Sequence, residues 1–152
     1  MYLISACLCG LNCKYNGSNN YNEKVKALYD KGNCIAVCPE NLGSLPTPRE
    51  PHEIINGEGK DVLAGTAQII SKDGTDNTSK FIDGANKTLE IAKLLNVDTA
   101  ILQARSPSCG WGQIYDGSFD NNLRNGNGIT AELLSQHGIK ILTEEEIKNL
   151  LV

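Results

Sequence analysis

Residues 77–103 read NTSKFIDGANKTLEIAKLLNVDTAILQ, and a change of period inside this stretch decides the fold. Phe81, Ala85, Leu89, Ala92 and Leu95 recur at helical spacing. Residues 77–95 are therefore expected to form a helix with one apolar side, with Asp76 and Thr78 offering cap chemistry. Beyond it the helical period stops. Residues 97–103, centred on Thr99-Ala100-Ile101-Leu102, have the length and composition of a strand buried on both faces.

The alternation continues in both directions. Upstream, residues 2–7 (YLISAC) read as a first strand, followed by a Gly/Asn-rich loop over 10–20. A helix over 21–30 places Tyr21, Val25, Leu28 and Tyr29 on one face and stops at Gly32, and residues 34–38 (CIAVC) form a second buried strand ended by Pro39. Pro46, Pro48 and Pro51 exclude a regular helix across residues 41–66, which read as an irregular lid or binding segment. Ile69-Ile70 marks a short edge strand. Downstream, a second polar loop leads to a helix over 130–136, ended by Gly138, and a fourth strand over 139–142. Thr143 and Glu146 form a capping box for a last helix whose Ile147, Leu150 and Leu151 face inward. Strands alternating with helices imply a single α/β domain over 1–152, Rossmann-like, with a mostly parallel sheet and helices on both faces.

Composition limits the partners. The net charge of −4 gives no general attraction for nucleic acid or acidic membranes, and neither is expected as a partner. No apolar run approaches the roughly 18 residues of a membrane span. The first residues lack the basic region and long apolar core of a signal peptide, so a cytoplasmic location is expected. Nothing in the sequence speaks to oligomeric state.

Six cysteines in 152 residues require an explanation. Disulfides belong mainly to secreted proteins and to domains too small for a sufficient core, and this chain has neither property. In parallel sheets, ligands bind outside the carboxyl ends of the strands. Cys7 ends the first strand, Cys38 ends the second, and Cys109 lies in the loop after the third, so the three converge at one sheet edge. Thiolates are the preferred ligands of iron–sulfur clusters and also suit zinc. A closed zinc site usually draws on Cys-x-x-Cys pairs, which this sequence lacks. Three scattered ligands suggest a site left open for substrate.

Glu40, directly after Cys38-Pro39, stands beside this edge either as a general acid/base or as a solvated carboxylate. Ser106, in Arg105-Ser106-Pro107-Ser108-Cys109-Gly110, either orients a substrate oxygen or forms the turn. Arg49 offers an anion or carbonyl grip, or a structural ion pair. Trp111 offers a stacking surface or core packing. Residues 126–130 open a helix whose N-terminus suits an anion. His52 and His137 sit away from the cysteine loops in sequence, and His137 reads as a helix-end residue. The cysteine set by itself fits a cluster enzyme, a non-catalytic metal- or redox-sensing module, or a structural zinc site.

A resemblance narrows these readings. Ser5-Ala6-Cys7-Leu8, Cys13-Lys14-Tyr15-Asn16-Gly17, Cys38-Pro39-Glu40, Leu45-Pro46-Thr47-Pro48-Arg49, Ser106-Pro107-Ser108-Cys109-Gly110 and Ile114-Tyr115-Asp116-Gly117-Ser118-Phe119 together resemble the thiouracil desulfidase family in its single-domain form. The resemblance implies a [4Fe–4S] cluster held by three cysteines, with one iron open to the sulfur of a thiolated base. It implies non-redox desulfuration of thiouracil to uracil and hydrosulfide. The ligands map best onto Cys7, Cys38 and Cys109, proton movement onto Glu40, and orientation of base or water onto Ser106. Cys13 also lies in a family motif and is a substitute ligand. Cys9 stands where the family usually has an aliphatic residue, and Asn16 where it usually has Asp.

Overall fold

The computed structural model describes residues 1–147. In chain order the elements are β1 (Tyr2–Ser5), α1 (Glu23–Asp30), β2 (Cys34–Val37), α2 (Pro39–Leu42), β3 (His52–Ile55), α3 (Gly59–Leu63) and β4 (Gln68–Ser71). There follow α4 (Thr78–Leu94), β5 (Thr99–Leu102), β6 (Gln113–Tyr115), β7 (Leu123–Asn125), α5 (Ile129–Gln136) and β8 (Lys140–Thr143).

The central sheet has the order β2-β1-β5-β8, and each neighbouring pair is parallel. Alternation along the strands assigns its two faces. Leu3, Ala100 and Leu102 join Phe81, Ala85, Leu89 and Ala92 of α4 and Leu133 and Leu134 of α5 in the larger core. Ile4 and Ile101 point the other way, onto Val25 and Leu28 of α1 and onto Ile147. Helices therefore flank both faces, as the sequence implies. Burial of Val25 and Leu28 contributes about 1.5–3 kcal/mol each.

Several boundaries move, each for a local reason. β1 ends at Ser5, because residues 6–9 close into a 3-10 turn, so Cys7 lies just beyond the strand. The first helix begins at Glu23, not at 21. Asn22 caps it, its Oδ1 accepting from the N–H groups of Lys24 and Val25 at 3.1 Å. Tyr21 consequently precedes the helix and is exposed rather than buried. β2 ends at Val37, and Cys38 caps α2.

Residues 41–66 are more ordered than their prolines suggest. They complete α2 and contain β3 and α3, and β3 pairs antiparallel with β4 as a separate two-stranded sheet. The second polar loop contains the β6–β7 hairpin. At the C-terminal end, the Thr143 N–H donates to Glu146 Oε1 at 3.1 Å, one half of the expected capping box; the Glu146 N–H goes to the Thr143 carbonyl instead, residues 144–146 form a turn, and Ile147 is buried. Leu150 and Leu151 lie outside the described residues. Among the described residues, no helix is long and apolar enough to cross a membrane.

Candidate active site

Three neighbouring strands deliver three cysteines to one end of the sheet. After β1, the 3-10 turn presents Cys7, and Asn20 holds it twice. The Asn20 backbone N–H donates to the Cys7 carbonyl at 3.0 Å, and its Nδ2 lies 3.7 Å from Cys7 Sγ.

After β2, Cys38 is the residue before α2, with Pro39 and Glu40 in the first turn. This short helix is pressed onto α4 through glycine. A Cβ on Gly84 would stand 2.1 Å from the Pro39 carbonyl oxygen, and one on Gly43 would stand 2.0 Å from that of Lys80.

After β5, the chain turns through Arg105 at φ 71° and coils around Cys109, whose N–H donates to Ser106 Oγ at 2.7 Å. This turn docks on the start of α5. Gly128, Ile129 and Thr130 donate their N–H groups, each at 2.8 Å, to the carbonyls of Gly110, Pro107 and Ser108. The Ser108 and Thr130 hydroxyls meet at 2.8 Å. The expected anion site at residues 126–130 is thereby corrected: the donors of Gly128, Ile129 and Thr130 already hold the Cys109 turn. A Cβ on Gly128 would stand 2.6 Å from the Ser108 carbonyl oxygen, so only glycine permits the approach.

These segments enclose a cavity of about 310 Å³ lined by Cys7, Cys38, Cys109, Glu40 and Ser106, and also by Cys13. All five residues singled out from the sequence therefore share one site, and the substitute ligand shares it with them. Arg49 fixes the wall between them. Its guanidinium, 6% exposed, donates to Glu40 Oε2 at 3.2 Å, to the Cys13 carbonyl at 3.1 Å and to the Pro46 carbonyl at 3.2 Å. Its backbone N–H donates to the Tyr15 carbonyl at 2.7 Å. The structural ion pair is present, and the rest of the guanidinium holds backbone carbonyls of the wall.

The thiols are electrostatically unequal. Hydrogen bonding from Cys13 lowers the pKa of both Cys7 and Cys38, outweighing their burial. Its contacts with Cys38 and Cys7 push the pKa of Cys13 up. Of this trio Cys13 therefore holds its proton most strongly, and Cys7 and Cys38 are the two biased toward thiolate. Burial pushes the Cys109 thiol up, against a hydrogen bond from Ser5. Among the described residues, no three His, Cys, Asp or Glu side chains are arranged around a single metal ion.

Other candidates fall elsewhere. Cys9 and Cys34 pack with the α1 face, Trp111 packs against the larger core and does not line the cavity, and His137 follows the last turn of α5. Sequence reasoning missed His52 and Gln103, which both line the cavity. His52 is 8% exposed, its Nε2 is 2.9 Å from Asn77 Nδ2, its ring packs on Phe81, and burial lowers its pKa. Reading residues 41–66 as loop concealed it, because β3 is what turns His52 inward.

The fold and the site together define an α/β protein with a thiol-lined cavity at the carboxyl edge of a parallel sheet. The chain belongs to the 2-thiouracil desulfurase family, whose pattern matches residues 2–146. It is 47% identical over 151 residues to the uncharacterized protein YbbK of Bacillus subtilis, covering 99% of this chain and all of that one. Its structure is similar to that of the [4Fe-4S]-dependent thiouracil desulfidase TudS, with TM-score 0.86 and 34% identity, covering 99% of this chain and 94% of that chain. Family membership supports a desulfurating enzyme over a non-catalytic sensing module.

Proposed function

We propose that this protein removes sulfur from a thiolated pyrimidine without net redox change, using a [4Fe–4S] cluster held by Cys7, Cys38 and Cys109. The observation that carries the reading is the shared cavity, in which thiols from three adjacent strand ends face an Arg49-anchored Glu40 and the hydroxyl of Ser106. The donor set fits the cluster. It consists of soft sulfurs, two of them biased toward thiolate, the donors that iron–sulfur clusters take. Cys13 touches both Cys7 and Cys38 and competes with Cys109 for the third position.

When bound, such a cluster supplies an open iron that accepts a soft sulfur leaving group as a Lewis acid. The protein does the rest. Water adds to the ring carbon as the C–S bond breaks, one of its two protons leaving on the sulfur as hydrosulfide and the other passing to the protein, to give the oxo-pyrimidine. Glu40 takes the proton from that water, and Arg49 keeps its carboxylate aimed at the cavity. The Ser106 oxygen already accepts from the Cys109 N–H, which leaves its O–H to donate to a substrate oxygen or to the water. The cavity lies within the roughly 300–1,000 Å³ usual for small-molecule sites, which suits a single base.

Anaerobically reconstituted protein should contain iron and acid-labile sulfide in equal amounts and convert 2-thiouracil to uracil and hydrosulfide. Iron binding with no sulfide released from any thiolated base refutes the substrate, and one zinc with no iron refutes the cluster. Replacing Cys7, Cys13, Cys38 and Cys109 singly by Ser identifies the ligands. The three that abolish iron retention hold the cluster, and the assignment fails if Cys109→Ser retains it.

A further inference from the structure

Among the described residues, Gln103 Oε1 is the one buried side-chain nitrogen or oxygen without a hydrogen-bond partner. Gln103 follows β5 and lines the same cavity as Cys109 and Ser106. The rest of the residue is committed. Its backbone N–H donates to Ser5 Oγ at 3.0 Å, and its Nε2 donates to the Ala104 carbonyl at 3.3 Å. The Nε2 bond turns the amide nitrogen toward the Ala104 carbonyl and leaves Oε1 as the unpartnered acceptor of the amide. The loop around it is fixed as well, because the Ala104 N–H donates to Glu144 Oε2 at 2.9 Å and Arg105 pairs with Glu145.

A buried acceptor left empty is costly, and a site built to hydrogen-bond a ligand group rejects analogues that lack it. We infer that Gln103 is a specificity-determining residue, its Oε1 accepting a hydrogen bond from a ring N–H of the bound pyrimidine. The inference rests on the proposed reaction and names the chemical feature of the substrate that this wall reads. A thiolated or oxo-pyrimidine in its lactam form carries an N–H beside the reacting carbon. Glu40 does not read that group in this scheme, since its task is the water proton. The Ser106 oxygen already accepts from the Cys109 N–H, and its O–H is assigned to the substrate oxygen or the water in that scheme. Among the described residues that line the cavity, Gln103 Oε1 is thus the buried side-chain acceptor with no partner of its own, and it is the one we assign to a ring N–H. Methylation of that nitrogen removes the donor and places a methyl group against the amide.

The test compares uracil, 1-methyluracil and 3-methyluracil binding to reconstituted protein by calorimetry, with kcat and KM for 2-thiouracil alongside. Wild type should bind one of the methylated bases at least tenfold more weakly than uracil. Gln103→Met keeps the length but lacks the acceptor, and should bring the two affinities within about threefold of each other, raising KM for 2-thiouracil more than it lowers kcat. Gln103→Glu keeps an acceptor oxygen and should retain the preference for the N–H base. The ratio of affinities is measured on one protein at a time, so a general folding defect lowers both and leaves it unchanged. Equal binding of all three bases by wild type, or unchanged discrimination in Gln103→Met, overturns the role of Gln103 while leaving desulfuration standing. Wild type that neither binds uracil nor releases sulfide overturns the pyrimidine reading and this inference with it.

Discussion

Arg49→Met should separate the architecture of the site from its chemistry. The Arg49 side chain is 6% exposed and that of Glu40 is 15% exposed, at 3.2 Å N···O, so the pair is largely removed from water. Removing one partner of a buried pair leaves the other charge uncompensated, at a cost of about 3–5 kcal/mol. Glu40 keeps some access to water, which places the loss near the lower end, about 3 kcal/mol, including the bonds lost from the Cys13 and Pro46 carbonyls. For a chain of this size, 3 kcal/mol lowers Tm by about 6–12 °C. The assay is urea unfolding of reduced, cluster-free protein, with coincident fluorescence and circular dichroism transitions as the two-state check. In a Glu40→Gln background no orphan charge remains, so the same Arg49→Met change should cost only about 1 kcal/mol. The resulting coupling of about 2 kcal/mol identifies the ion pair as the source. If Arg49→Met costs the same in both backgrounds, Arg49 acts only through its carbonyl contacts and the reasoning is wrong.

The other expectations follow from the same geometry. Gly84→Ala places a methyl group 2.1 Å from the Pro39 carbonyl oxygen, so α2 must move off α4 and carry Cys38 and Glu40 with it. Stability should fall by about 1–3 kcal/mol, and iron retention should fall with it, measured by metal analysis after desalting. Ser108→Ala leaves the Thr130 hydroxyl without its 2.8 Å partner and should cost about 1–2 kcal/mol in urea unfolding. In cluster-free protein near neutral pH, iodoacetamide should alkylate Cys7 and Cys38 before Cys13 and Cys109, because the first pair is biased toward thiolate and the second is not. Mass spectrometry of timed digests checks the order. Burial lowers the folded-state pKa of His52 below its unfolded 6.5, so the unfolded chain takes up the proton first and stability is lost as pH falls below about 6.5. His52→Gln should flatten the loss of stability between about pH 7 and 5, and an unchanged slope contradicts the burial of a neutral imidazole.

The sequence exposes those parts of the fold that repeat a simple period. Phe81, Ala85, Leu89 and Ala92 do so over a long helix, and the apolar runs of the four sheet strands need no partner to be recognised. The same regularity placed Cys7, Cys38 and Cys109 together, since a parallel sheet fixes which end each strand presents. β3 (HEII), β6 (QIY) and β7 (LRN) mix polar with apolar residues, lack such a run, and take their definition from antiparallel partners. His52 was lost with β3. Cys13 was left as a substitute because no strand end positions it. What places it against Cys7 and Cys38 is a loop whose carbonyl Arg49 holds across 36 residues of sequence.

The cysteines say what the site is made of, and two glycine contacts say why its pieces can meet. Gly84 admits the Pro39 carbonyl and so brings Cys38 and Glu40 against α4, while Gly128 admits Ser108 and so fixes the turn that carries Cys109. Neither glycine adjoins its cysteine in sequence, and neither has a positive φ to betray a turn. A cluster held by residues from separate strands needs those strands' exits set to within fractions of an ångström before metal arrives. A chain that kept every cysteine but carried alanine at 84 and 128 should therefore fold its sheet and fail to retain iron.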